Sequence, residues 1–133
     1  TIEFSDTAAR FETGTPSISA VYPAEQGLKF INDTGAENIR NRTLHLTSLL
    51  VNSLIELGFS LKVPEDLNNH ASITMIECSN PPLVVDELKK AAIIVDNRPG
   101  CVRISPFFYN NESEIDHCVN VLSNMKNSDS TLF

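Results

Sequence analysis

The sequence predicts an α+β fold with a small, largely antiparallel sheet and helices packed on one face. Three observations lead to this fold class. Two long helical patterns come first along the chain, a β-α-β-β-α order follows them, and 133 residues are enough for a single hydrophobic core. Such an order suits a small α+β sandwich.

Two helices are predicted in the first half of the chain. Residues 1–17 lack a regular pattern and end near Pro16, which favours a turn or a helix start. Apolar residues then lie mostly on one side of a helix over residues 18–34, and Gly35 is a typical stop. A stronger pattern, with apolar residues recurring at threes and fours, predicts a second helix over residues 36–57.

The next elements are shorter. Residues 59–63 predict a weak strand, and the alternation in SITMIE, residues 72–77, predicts a clear one. An Asn-Pro-Pro turn then leads to a short helix over residues 83–91.

A hairpin and a final helix complete the predicted domain. Residues 92–96 and 101–105 read as two strands separated by the short loop NRPG. Asn111 is a typical N-cap, and Glu114 stands at the capping-box position of the last helix. The closing NSDSTLF tail is expected to fray.

The charge balance argues against two classes of partner. Acidic residues outnumber basic ones by 17 to 10, a net charge of −7. Nucleic-acid and anionic-membrane surfaces need clustered Lys and Arg, and no stretch is long and apolar enough to cross a membrane. We therefore expect no nucleic-acid partner and no membrane partner.

Cysteine and histidine patterns predict neither a disulfide framework nor a metal site. The cysteines form no CxxC pair, and their odd number suits reduced thiols. The histidines lack metal-ligand spacing. No secretory signal is visible in the opening TIEFSDTAARF, so we expect a cytoplasmic protein. The residues concerned are Cys78, Cys101, Cys118, His45, His70 and His117.

Arg103 is the residue whose position most needs an explanation. It lies between Val102 and Ile104 in a predicted strand, where an unpaired buried charge would be very costly. Its guanidinium needs either an internal acid, such as Asp96 across the hairpin, or a carboxylate ligand held by two parallel hydrogen bonds. On the residues alone, the structural pair is the commoner outcome.

Two stretches resemble one enzyme family. RFETGTPSISAVYPAEQGLKFI, residues 10–31, is similar to the RFE-x-GTP segment of class V aminotransferase-like, pyridoxal-phosphate enzymes. IIVDNRPGCVRISPFFYNNESEID, residues 93–116, is similar to their VRISPHFYNT-x-EEID segment. The family includes cysteine desulfurases, kynureninases and isopenicillin-N-epimerase-like enzymes. Phe107 replaces the usual His of this pattern, and Asn111 replaces the usual Thr.

The resemblance implies a fragment of a longer, homodimeric enzyme of fold type I that acts on an amino acid. Residues 1–133 would form a single domain at its C-terminal end. Within that domain, residues 1–35 would be a connecting segment and helix, and residues 36–133 a small α/β sandwich. The lysine that forms the Schiff base with pyridoxal phosphate would lie upstream, since no lysine of this chain is a candidate. The isolated chain is therefore expected to be inactive.

The resemblance also implies binding roles for three residues and a catalytic role for none. Arg103 matches the family arginine that binds the substrate α-carboxylate. Gly14 and Thr15 match the GTP segment that reaches the cofactor phosphate bound by the other subunit, although on the residues alone an ordinary turn and helix cap is the better explanation. Cys101 shares a strand face with Arg103, but similar desulfurases carry their cysteine farther upstream, so we expect a buried apolar role for it.

A second class of function stays open on the sequence. The chain would then be a stand-alone α+β module for ligand binding or dimerisation, without catalysis. The amino acid and the reaction are not determined by these residues, because an arginine that binds a carboxylate serves any α-amino acid.

Overall fold

Residues 3–133 are described by the computed structural model, and they form two compact units. The first unit ends at Ala36 and the second spans Glu37–Phe133. The segment predicted to be irregular begins with two residues outside the described range. Its remainder contains one short 3-10 helix, Ala8–Phe11, which starts where the Thr7 hydroxyl accepts a backbone hydrogen bond.

Helix α1 of the first unit spans Ile18–Thr34, as predicted. It ends at Gly35, which adopts a φ of 88° and donates its N–H to the Ile31 carbonyl at 2.9 Å. Such a φ suits glycine because glycine has no Cβ atom. None of the helix residues is buried, and its large apolar side chains are exposed. The described residues of this unit therefore leave the apolar side of α1 uncovered.

Helix α2, Ala36–Glu56, confirms the strongest helical pattern of the sequence. Its apolar residues at threes and fours put one side of the helix into the core, where three leucines have no exposed surface. Each such leucine stabilises the fold by roughly 1.5–3 kcal/mol relative to an exposed position. These three are Leu46, Leu50 and Leu54.

Two shorter helices cover the rest of the core. Helix α3 spans Pro81–Lys90, and helix α4 spans Glu112–Ser128. The predicted capping box of α4 is confirmed, since Asn111 Oδ1 accepts from the Glu114 N–H at 3.0 Å and Glu114 Oε2 accepts from the Asn111 N–H at 3.0 Å. This reciprocal pair satisfies two backbone donors and defines where α4 begins.

A four-stranded antiparallel sheet lies on the other side of the core, in the order β1-β2-β4-β3. Ile76, Val102 and Ile104 point into the core from β2 and β4, together with the buried residues of α2, α3 and α4. The predicted α+β fold class is therefore confirmed, with the helices on one face of the sheet. The strands are β1 (Leu61–Lys62), β2 (Thr74–Glu77), β3 (Asp96–Arg98) and β4 (Cys101–Ile104).

The hairpin differs from its prediction. The first strand was expected over residues 92–96, but it begins at Asp96, and only Pro99 and Gly100 separate the two strands. The reason lies in the end of α3. Ala92 adopts a φ of 62°, and the N–H of Ile93 donates to the Leu88 carbonyl at 2.9 Å. This left-handed cap of α3 takes residues that the apolar pattern had assigned to the strand.

The C-terminal tail is ordered in contrast to its prediction. Leu132 is 5% exposed, and its carbonyl accepts from the Ser79 N–H at 2.8 Å. The rings of Phe133 and Phe59 meet edge to face with centroids 4.9 Å apart. The tail thus joins the core beside the segments that precede β1 and α3, which a mostly polar sequence did not indicate.

Among residues 3–133, no helix combines the length and the apolar character that crossing a bilayer requires.

Candidate functional site

The outer face of the sheet, which points away from the helices, carries Arg103. Side chains alternate between the two faces of a strand, so Arg103 points away from the core that its neighbours Val102 and Ile104 enter. Its cross-strand partners are Asp96 on β3 and Met75 on β2. The sequence prediction of Arg103 in a strand is therefore confirmed, and its side chain lies on the more polar side of that strand.

Asp96 lies between two arginines on this face. Its Oδ2 atom accepts from Arg98 Nη1 at 2.5 Å and from Arg103 Nη2 at 3.0 Å, while its Oδ1 atom accepts from the Asn97 N–H at 2.7 Å. Together these contacts hold the pKa of Asp96 below its usual value, and the hydrogen bond from Arg98 is the largest cause. We call Asp96, Arg98 and Arg103 the arginine cluster.

The pair of Arg103 and Asp96 is the structural alternative that the sequence had left open. It does not use the whole guanidinium, because Nη2 is the only nitrogen of Arg103 with a partner among the described residues. The Arg103 side chain is 35% exposed. The remaining N–H groups of the guanidinium have no partner among the described residues, and a planar guanidinium binds a carboxylate with two parallel hydrogen bonds.

Cys101 is buried next to this cluster. It shares the outer face with Arg103 and is 1% exposed, with a free thiol. Lys62 and Glu77, which form an ion pair at 3.1 Å, lie near it, and hydrogen bonds with Glu77 and then Cys101 raise the pKa of Lys62. Such burial suits the small apolar role expected for this cysteine.

Gly14 and Thr15 lie in the first unit, in an exposed turn before α1. The turn lines a shallow hollow with the hydroxyl-bearing residues Thr13 and Ser17, and a Cβ atom on Gly14 would meet no atom within 4 Å. The Ser17 side chain makes no capping bond to α1, so donors at this helix start are available. Hydroxyl groups at a helix N-terminus suit a phosphate, whereas Glu12 in the same hollow opposes an anion. The donor set fits a phosphate group.

A second cluster of charges was missed by the sequence prediction. Glu112 at the start of α4 forms an ion pair with Arg42 of α2, and the same carboxylate lies 3.1 Å from His45 Nε2. Arg42 also donates to the Asn110 carbonyl at 3.0 Å. These contacts lower the pKa of Glu112 to about 2, chiefly through the hydrogen bond from Arg42. The cluster fixes the loop that follows β4 against α2.

The structure brings together only part of the predicted site. Arg103 and Asp96 meet as their cross-strand register requires, and Arg98 joins them. Gly14 and Thr15 belong to the other compact unit. Their roles toward a ligand remain predictions.

Comparison with known families decides the classification. A family model described as Aminotransferase class-V matches residues 1–118. The chain belongs to this family. The match covers the whole of both stretches that carry the sequence resemblance, and it ends within α4.

Curated relatives of this class V chain include an uncharacterized aminotransferase, YcbU, of Bacillus subtilis. It is 27% identical over 120 residues, which are 90% of this chain and 32% of that protein. A kynureninase of Bacillus thuringiensis is 28% identical over 128 residues, which are 92% of this chain and 30% of that protein. The chain thus spans about a third of the length of these relatives.

Solved structures share the fold of the class V chain. The apo structure of a cysteine desulfurase from Thermococcus onnurineus superposes with a TM-score of 0.83 at 23% identity, over 95% of this chain and 35% of that one. A NifS-like protein gives a TM-score of 0.72 at 18% identity, over 96% and 39% of the two chains. At these identities the likeness establishes the fold.

The lysines of this class V chain are engaged at its surface or exposed. Lys62 pairs with Glu77, and Lys90 pairs with Glu87 at 2.6 Å. Lys126 donates to the Gly58 carbonyl at 2.5 Å, beyond the end of α2. Lys29 and Lys89 are exposed.

Proposed function

We propose that this chain is the C-terminal domain of a pyridoxal-phosphate-dependent transferase of class V, in which Arg103 binds the α-carboxylate of an amino-acid substrate. The observation that carries the proposal is the state of its guanidinium, which lies on the outer face of the sheet with one nitrogen engaged by Asp96, in a side chain that is 35% exposed. The match to the class V aminotransferase family supports the proposal that the group bound by this guanidinium is the carboxylate of an amino acid.

The role of Arg103 follows from its geometry. A rigid fork fixes both the position and the plane of a carboxylate, so it also fixes the orientation of the adjacent α-carbon. Orientation matters because only the bond held perpendicular to the cofactor ring reacts easily. When bound, pyridoxal phosphate supplies the electron sink for this chemistry.

Gly14 and Thr15 are proposed to contact the cofactor phosphate bound by a second subunit of a homodimer. Support comes from the accessible backbone at Gly14, the Thr15 hydroxyl and the uncapped start of α1. The residue that binds the cofactor covalently is proposed to lie in another part of a longer protein, and the isolated chain to be inactive.

We place the enzyme in the cytoplasm, where the free thiols of Cys78, Cys101 and Cys118 would stay reduced.

Replacement of Arg103 by lysine in the complete enzyme tests the proposal. An ammonium group cannot reproduce two parallel hydrogen bonds, so we expect kcat/KM for the amino-acid substrate to fall by about 100-fold. Steady-state kinetics over a range of substrate concentrations measure this loss.

A matched control is Lys62→Gln, which removes a positive charge from the same face of the sheet. Lys62 pairs with Glu77 and not with the arginine cluster, so we expect kcat/KM to change by less than about two-fold. Equal kinetics for Arg103→Lys and the unmodified enzyme would show that Arg103 is structural.

A further inference from the structure

The arginine cluster has unequal bonds to its shared acid. Asp96 Oδ2 is 2.5 Å from Arg98 Nη1 and 3.0 Å from Arg103 Nη2. Arg98 Nη1 also donates to the Asn97 carbonyl at 2.6 Å, which ties Arg98 to the same hairpin. The bond to Arg103 is therefore the longer of the two charged contacts and the one that joins Asp96 to another strand.

Asp96 keeps most of its partners without Arg103. The Asn97 N–H and the Arg98 guanidinium both come from β3, and both stay in place if the Arg103 side chain turns away. A carboxylate that retains a charged and a backbone donor is still well solvated by the protein. The loss of Arg103 as the third partner of Asp96 therefore costs little free energy.

The charges of the cluster leave room for one more anion. Two guanidiniums face a single carboxylate, so the cluster has one unbalanced positive charge. The neighbouring pair of Lys62 and Glu77 on the same face is balanced. One external carboxylate would make the number of positive and negative groups on the cluster equal.

From these observations we propose that Asp96 is an internal placeholder for the substrate carboxylate. It holds the Arg103 guanidinium while the site is empty, and it stays with Arg98 and the Asn97 N–H when an external carboxylate binds Arg103. The inference rests on the proposed function, because it assumes that Arg103 is where a carboxylate binds. Asp96 is thus a positioning residue that lowers the affinity of Arg103 for the external carboxylate. Arg98 holds Asp96 in place while that carboxylate replaces Asp96 on Arg103.

The test is a titration of the isolated chain with sodium acetate, the simplest carboxylate. Arginine Nε–Hε signals of Arg98 and Arg103 are followed by nuclear magnetic resonance at constant ionic strength, at about pH 6, where acetate is ionised. In the unmodified chain we expect the Arg103 signal to shift with acetate in a saturable manner.

Asp96→Asn removes the competing carboxylate and keeps the shape of the side chain. We expect acetate to bind Arg103 about three- to ten-fold more tightly in this variant. Damage to the hairpin would weaken binding, so a gain in affinity cannot come from a merely structural role of Asp96. The backbone amide spectrum and urea unfolding of each variant show whether the fold is retained.

Glu77→Gln is the matched control for charge. It removes the same negative charge from the same face, two residues along β2 from the cross-strand partner of Arg103. We expect it to tighten acetate binding by less than about two-fold, since exposed charges are screened at this separation. An equal gain in both variants would mean that Asp96 acts only through net charge, which would overturn the placeholder role.

Arg98→Gln provides an independent test in the opposite direction. Without Arg98, Asp96 stays wholly on Arg103, and acetate should bind about three-fold more weakly. Lys62→Gln removes an equal charge nearby and should leave the affinity nearly unchanged. Unaltered or weaker binding in Asp96→Asn would overturn the inference alone, whereas no acetate-dependent shift of Arg103 in any protein would overturn the proposed function as well.

Discussion

Glu112 shows how a single carboxylate can couple the fold of this chain to pH. It accepts from Arg42 Nη2 at 2.9 Å through Oε2, and its Oε1 atom faces Arg42 Nη1 and His45. Since these contacts favour the ionised form, the pKa of Glu112 falls from 4.5 to about 2. A carboxyl group with a lowered pKa in the folded state stabilises the fold above its unfolded pKa and loses that effect as it is protonated.

We therefore expect the stabilisation from Glu112 to be complete above about pH 5 and to disappear as the pH falls through about 2. Urea unfolding of the unmodified chain and of Glu112→Gln, compared from neutral to acid pH, measures it. The difference in free energy of unfolding between the two proteins should be constant near neutrality and shrink below the unfolded pKa.

Asp116→Asn is the control for Glu112, because Asp116 is exposed on the same helix and its side chain has no hydrogen bond or ion pair among the described residues. The difference in free energy of unfolding between Asp116→Asn and the unmodified chain should not shrink in acid. A pH-independent difference for Glu112→Gln would contradict the assigned ion pair.

The two charge clusters differ in how far sequence reasoning could reach. Asp96 and Arg103 lie on adjacent strands of one hairpin, so their proximity could be inferred from the local pattern, and the pair was predicted as an alternative. The predicted strand bounds did not give the register in which Asp96 faces Arg103. Arg42 and Glu112 are 70 residues apart, and their contact depends on how α2 packs beside the start of α4. Single-sequence patterns carry no information on such packing.

Among the elements, the helices and strand β4 were predicted to within a few residues, whereas the first strand of the hairpin was not. Periodic apolar residues and capping residues define α1, α2 and α4 locally, since both signals act within one or two turns. The apolar run after α3 contains neither signal, so its sequence does not distinguish a helix cap from a strand. The cap took precedence there because it satisfies the last carbonyls of α3.

The left-handed cap of α3 should make the fold sensitive to a change at Ala92. Its φ of 62° places the backbone in the left-handed region, where a Cβ atom causes a steric clash. Glycine has no Cβ atom and adopts this conformation without that cost. We expect Ala92→Gly to raise the free energy of unfolding by about 0.5–1 kcal/mol, as measured by urea denaturation.

Ala91→Gly is the neighbouring control. Ala91 has a φ of −86°, which any residue adopts, so glycine there adds only entropy to the unfolded chain and should destabilise by about 0.5–1 kcal/mol. Equal effects of the two changes would contradict the left-handed cap.

At the scale of the whole molecule, the second unit has the kind of core that the sequence predicts, whereas the described residues of the first form none. Apolar side chains of α1 such as Tyr22, Leu28 and Phe30 are more than half exposed. Periodicity identifies the side of a helix that is apolar, but it does not identify what covers that side. The family match and the share of each relative that it covers supply the larger context that the pattern lacks.

That context leads to an expectation about the cofactor. If the proposed enzyme binds pyridoxal phosphate through a residue elsewhere in a longer protein, the isolated chain should not form a stoichiometric lysine adduct. The described lysines support this expectation, because Lys62 and Lys90 are exposed and paired with acids, and Lys126 donates to backbone carbonyls. A reactive lysine needs a lowered pKa and a desolvated site, whereas the acid partners raise the pKa of Lys62 and Lys90.

We expect the chain mixed with equimolar pyridoxal phosphate to show no visible absorbance band of a lysine-bound cofactor, and the longer protein encoded by the extended gene to show one. Absorbance spectra before and after borohydride reduction, followed by peptide mass spectrometry, measure the adduct and locate it. Free lysine at the same concentration controls for random reaction. A one-to-one adduct on a single lysine of this chain would mean that the chain itself holds the cofactor, and it would replace the proposed division of labour between two parts of one enzyme.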